Sequence, residues 1–163
     1  MATPAIPQSK RFFAPEVSKV YFVPTIASLS APTRIELDAG DNITGEIADI
    51  NGFTVTSNMI STPDLGSRFT KQIGGRTQAD ASSITFYASK DGADIRSVLQ
   101  RGLTGNLTFM DGGDVAAQPM DVFPIEVTSV GKVRTTGDNA QQITVTFAIT
   151  GEPAEDVDIP ATV

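Results

Sequence analysis

Four sets of residues have types and spacing that could do chemistry. Gly74-Gly75 and Gly112-Gly113 are glycine pairs of the kind that can wrap a phosphate. Neither has the spacing of a Walker or dinucleotide loop, so both read as turns. Asp111, Asp114 and Asp121 offer the oxygens that calcium takes. They lack the alternating ligand spacing of a calcium loop, and no metal site is expected. Asn42-Ile-Thr44 and Asn106-Leu-Thr108 match a glycosylation sequon, but no secretory leader precedes them, so they read as chance matches. The fourth set lies in residues 64–80. It holds Arg68, Lys71 and Arg76 with no acid between Asp64 and Asp80, and it places Phe69 and Ile73 among them. Aromatic and aliphatic anchors rimmed by Arg suit binding rather than bond-breaking. These five residues are the predicted subunit interface.

Several chemistries are excluded outright. The chain has no cysteine and no histidine. It can form no disulfide, thiolate nucleophile, cysteine zinc site or Ser-His-Asp triad. No pair of carboxylates is marked for acid–base work. The reading is therefore a protein that is not an enzyme and carries no cofactor. A net charge of −7 argues against tight nucleic-acid binding, which needs clustered Lys and Arg. No stretch approaches a membrane span and no leader pattern is seen, so the protein is expected to begin in the cytosol of the cell that makes it, with no membrane partner.

At 163 residues, 40% of them apolar and 19% charged, the chain fits one domain with a real core. Residues 1–17 hold Pro4, Pro7 and Pro15 and little periodicity, and read as an N-terminal arm. Ile6, Phe12 and Phe13 are too apolar for a free tail, which predicts that the arm docks and adds Phe12 and Phe13 to the interface. Residues 18–152 read as a β-rich domain. Lys19-Val-Tyr-Phe-Val23 is a strand stopped by Pro24. Strand pieces follow at 46–50 and 53–57, split by Asn51-Gly52. Residues 64–80 are expected to be a long loop. Strands resume at 83–87 and 103–110, around a helix over 92–102 with Ile95, Val98 and Leu99 on one face and Gly102 as its cap. The helix signal at 30–40 is weaker, because Ile35/Leu37 equally fits a strand. Strands at 120–130 and 143–149 complete the domain, the last alternating strictly. Residues 153–163 read as an acidic tail without regular structure. Its Glu155, Asp156 and Asp158, with Glu152 just before, offer a partner surface for cations. Six strands joined by turns imply a mainly β fold, an antiparallel sandwich or flattened barrel with one flanking α-helix.

Several stretches, in this order, resemble the tail tube (major tail) proteins of long-tailed bacteriophages, especially those infecting actinobacteria. They are Lys19-Val-Tyr-Phe-Val-Pro24, Ala31-Pro-Thr-Arg34, Gly45-Glu-Ile-Ala-Asp-Ile50, Thr62-Pro-Asp-Leu-Gly66 and Gly75-Arg76-Thr77. They continue with Ser83-Ile-Thr-Phe-Tyr87, Met110-Asp-Gly-Gly113, Met120-Asp-Val-Phe-Pro124 and Val127-Thr-Ser-Val-Gly-Lys-Val133. The resemblance implies a β-sandwich or barrel beside one helix, and a homo-hexameric ring whose inner sheets join into a continuous barrel. It implies stacking of rings into a virion tail tube, assembled in the host cytoplasm, through which the genome leaves. A long loop and a terminal arm would bridge rings. Tape measure, tail tip and terminator proteins would be partners. Some relatives carry a C-terminal immunoglobulin-like domain, for which this chain is expected to be too short.

Physics supports that expectation. A conduit for DNA must not hold it, and an acidic wall gains nothing from counterion release. Rings need one heterologous contact that closes and another that stacks. Two rival readings share the β-rich pattern: the inner tube of a contractile tail or injection machine, and a monomeric adhesin-like or carbohydrate-binding sandwich. The second would want exposed aromatics, yet Trp is absent and Tyr occurs twice.

Overall fold

The computed structural model describes residues 3–162. Ten strands run through them: β1 (Lys19–Val23), β2 (Asp41–Asn42), β3 (Ile47–Asn51), β4 (Val55–Thr62) and β5 (Lys71–Ala79), then β6 (Ser82–Tyr87), β7 (Thr104–Met110), β8 (Pro119–Val133), β9 (Gln142–Ile149) and β10 (Ala154–Asp158). One α-helix, α1 (Arg34–Asp38), accompanies them. Eight strands form one antiparallel sheet in the order β2-β1-β7-β8-β9-β6-β3, with β10 pairing β8. Strands β4 and β5 form a separate two-stranded hairpin.

The sheet curls. Val20 and Phe22 of β1 share one buried cluster with Ile84 and Phe86 of β6. Those strands are four places apart in the order, which in a flat sheet is roughly 19 Å at the usual strand spacing. Only a sheet folded over on itself brings them together. Phe53 closes the cluster between strands, with its ring centroid 4.8 Å from Phe109, 5.5 Å from Phe123 and 5.8 Å from Phe147. The outer face of β1, β7 and β8 is also covered. Val23, Met110, Met120 and Val122 pack there under Leu37 of α1 and Ile159, just past β10. Strand β8 joins both regions: its first half pairs β10, its second half pairs β9, and its register shifts between Val127 and Ser129.

The mainly β, antiparallel fold with one α-helix is as the sequence predicts, but the helix is elsewhere. Residues 92–102 hold only a 3₁₀ turn, Ile95–Ser97. The Asp94 carboxylate binds the backbone N–H of Ser89 and Arg96 and the Arg96 guanidinium, which locks a tight turn. Gly102, at φ +82°, then donates its N–H to Val127 and returns the chain to the sheet. Ile95 and Leu99 are still buried, so the apolar face was read correctly and the helical period was not. The weaker signal is the real helix. Thr33 and Glu36 make a reciprocal capping box at the start of α1.

Two further expectations are corrected. Of the predicted loop over 64–80, residues 71–79 are strand β5, and the connecting loop is 63–70. Gly74-Gly75 hid the strand, since glycine weakens strand patterning. The tail is not irregular either. Val157 and Ile159 turn inward and β10 pairs β8 across a bulge, where Asp156 donates its N–H to Asp121 Oδ1.

Candidate assembly surface

Hairpin β4–β5 places most of the predicted interface. It is anchored at its base and free at its tip. Val55 packs against the main core, and the Thr54 and Thr56 hydroxyls both bind the Asp80 carboxylate. Beyond that base the hairpin has only its own ladder. Loop 63–70 is ordered by local bonds, Gly66 N–H to Asp64 Oδ1 and Phe69 N–H to Ser67 Oγ. Isolated two-stranded hairpins are marginal in water, so this one leans on its anchored base.

Its register sorts the side chains. Ile60 lies opposite Ile73 and Thr62 opposite Lys71, so these four share one face. Ser57 pairs Thr77 while Met59 pairs Gly74, which leaves Gly75 and Arg76 as a bulge against Asn58. Gly75 is needed there: a Cβ would sit 2.7 Å from the Asn58 carbonyl oxygen and 3.1 Å from Ile60 Cγ1. The apolar residues are wet. Phe69 is 75% exposed, Ile73 55% and Met59 74%, and Ile60 and Leu65 are exposed as well. Sequence reasoning missed Met59, Ile60 and Leu65. Their exposure follows from the hairpin's separation from the main sheet, which strand patterning does not show.

Arg68, Lys71 and Arg76 are exposed and join no ion pair among the described residues. The same holds for Glu152, Glu155, Asp156 and Asp158. Within one chain the two sets do not meet. Only Glu152 lies beside the hairpin, lining a cleft with Val55, Thr77 and Gln78. Phe12 and Phe13 sit in the arm, where residues 3–13 are exposed throughout and belong to no helix or strand.

The other candidate chemistries do not assemble. Asp114 takes Arg34 as a bidentate partner, and Asp121 accepts from Asp156. Among the described residues no group of three or more carboxylates is placed to hold a metal. Among the described residues no helix is long and apolar enough to cross a membrane.

The fold is similar to a chain of the anti-feeding prophage (AFP) baseplate solved by cryo-EM and 6-fold symmetrised. The TM-score is 0.56 at 13% identity, over 94% of this chain and 96% of that one. It is also similar to a chain from the tail of an empty GTA particle of C6 symmetry. There the TM-score is 0.52 at 12% identity, over 86% of this chain and 95% of that one. No curated protein matches the chain in sequence. The model of the family described as phage tail tube protein matches residues 6–162. The chain belongs to the phage tail tube protein family.

Proposed function

We propose that this chain forms hexameric rings that stack into the DNA-conducting tube of a phage tail, and that it works by assembly without catalysis. The observation that carries this is the hairpin β4–β5. It stands off the main sheet with five large apolar side chains uncovered and three cations unpaired. A monomer gains nothing from such a surface, whereas a stacked ring would cover it. The 6-fold and C6 symmetries of the similar structures support six subunits.

In this reading Phe69 and Ile73 bury against the next ring, each contributing on the order of 1–3 kcal/mol. Arg68, Lys71 and Arg76 form the rim, facing carboxylates such as those from Glu152 to Asp158. Rim pairs orient the contact more than they strengthen it. Residues 1–17 act as an arm, 18–152 as the tube domain and 153–163 as its acidic edge. Tape measure, tail tip and terminator proteins are its partners in the tail. DNA passes without specific binding, past a subunit of net charge −7. Assembly takes place in the host cytoplasm. The runner-up is the inner tube of a contractile or injection machine, kept because one similar structure comes from a baseplate.

Negative-stain microscopy and sedimentation at rising concentration test the proposal. Rings or tubes are expected. A monomer at every concentration, with or without a tail-tip nucleator, would overturn it. Replacing Phe69 and Ile73 by Ser should leave the circular dichroism and melting point unchanged and block growth.

A further inference from the structure

A second unpartnered surface lies away from the hairpin, at the seam of the curled sheet. Among the described residues strand β3 pairs β6 on one side and nothing on the other. Ile50 is the register partner of Ile84, so both project from the same face of the sheet. Ile84 is fully buried, yet Ile50 is 43% exposed. An edge residue on the core side is wet because nothing covers the seam. The result is a groove walled by Ala14, Pro15, Val20, Gly45, Ile47 and Ile50.

We propose that this groove takes the N-terminal arm of a second copy of the chain, added as a strand along the free edge of β3 with Phe12 in the groove. The inference rests on the self-assembly reading and names one of its contacts. Four observations carry it. First, an open edge offers unpaired backbone groups, and an extended segment satisfies them by strand addition. Residues 8–13 contain no proline, so each can donate to a ladder. Second, the arm has apolar side chains its own subunit leaves bare: Ile6, Phe12 and Phe13 are all exposed. Third, the charges match. Lys10 and Arg11 precede Phe12, while Glu46 and Asp49 flank Ile47, exposed and without an ion pair among the described residues. Fourth, the arm of the same chain is badly placed. Ala14 and Pro15 are themselves part of the groove wall. A chain reversal takes about four residues, and Phe13 alone separates Phe12 from that wall.

The absence of cysteine makes the test clean. Chains carrying Phe12→Cys alone are mixed with chains carrying Ile50→Cys alone, assembled and oxidised. The expected product is a mixed disulfide dimer, at least tenfold above either like-with-like dimer, with the linked peptide identified by mass spectrometry. Adding Glu46→Lys and Asp49→Lys to the Ile50→Cys chain should cut the yield several-fold. Adding Lys10→Glu and Arg11→Glu to its partner should restore it. Rings or tubes in micrographs without the mixed dimer overturn the groove assignment and leave assembly standing. Monomers without the mixed dimer overturn both. A disulfide forming only within a doubly substituted chain shows the arm on its own groove and also overturns the assignment.

Discussion

Arg34 grips Asp114 with two parallel hydrogen bonds, 2.6 Å from Nη1 to Oδ1 and 2.8 Å from Nη2 to Oδ2. Tyr21 adds its hydroxyl at 3.1 Å. The pair ties α1 to the turn after β7, across the apolar cluster beneath the helix. The guanidinium holds the Asp114 carboxyl below its usual range, with the Tyr21 hydroxyl helping. Burial first, then the bond to Asp114, pushes the Tyr21 phenol up. Asp114→Ala should leave the largely covered guanidinium with Asp38 as its remaining partner and cost about 1–3 kcal/mol. Tyr21→Phe should cost about 1 kcal/mol or less. Urea midpoints measure both, and equal losses would mean that the ion pair is not the anchor.

Acid should destabilise the subunit, and neutral pH changes should not. The Asp94 carboxyl is depressed to about 2, mainly by the Arg96 guanidinium. Asp114 is lowered by Arg34. A depressed carboxyl gives stability that is present above its unfolded value, about 4 for Asp, and lost as pH falls through the folded one. Thermal melts should therefore hold steady from pH 8 to 5, where the absence of histidine leaves little to titrate. They should fall between pH 4 and 2. Asp94→Asn should lower the plateau and flatten that fall. An unchanged acid limb in the variant would remove Asp94 as a cause.

Thr108 Oγ1 is buried without a hydrogen-bond partner among the described residues. Thr108→Val keeps the shape and β-branching while removing the orphaned hydroxyl. It should raise stability by about 1 kcal/mol, read as a higher melting point with assembly intact.

Gly75→Ala sets a methyl against the Asn58 carbonyl at the bulge. The hairpin should distort while the main sheet stays sound. The expected result is a melting point within about 2–3 °C of the parent, the scale of a sub-kcal/mol change, with tube growth slowed severalfold in light scattering. Normal growth would show that the bulge geometry does not matter to stacking.

Duplex DNA should elute freely from assembled protein even at low salt, where phosphate contacts are strongest. Salt-sensitive retention by the tube would contradict a wall that lets DNA slide.

Legibility in the sequence followed burial. Strand β9 is covered on one face only, so Ile143, Val145 and Phe147 alternate with polar residues and the strand is plain. Strands β7 and β8 are buried on both faces near α1 and β10, which blurs the alternation; β8 was foreseen only as 120–130. Phe69 and Ile73 stood out in the sequence as apolar residues among cations, and both are exposed. That Ile60 and Ile50 are wet could not be read, since their exposure depends on where a sheet stops. The 3₁₀ turn at Ile95 was misread because Asp94 pairs with Arg96 two residues on, a local bond that periodicity ignores.

The strand order also sets a timetable. Strand β1 pairs β7, and Asn106 reaches back to the Val23 carbonyl across 83 residues of chain. Closing such distant pairings is slow, typically milliseconds to seconds in β-proteins of this kind. Hairpin β4–β5 is local and can close in about 1–10 μs. Each new chain therefore displays the exposed apolar side chains of its hairpin long before β1 finds β7. The contact proposed for the hairpin would thus be open to half-folded chains. A cell making many copies at once must hold nascent subunits apart, and overexpression at high temperature should yield aggregates seeded through Ile60, Phe69 and Ile73.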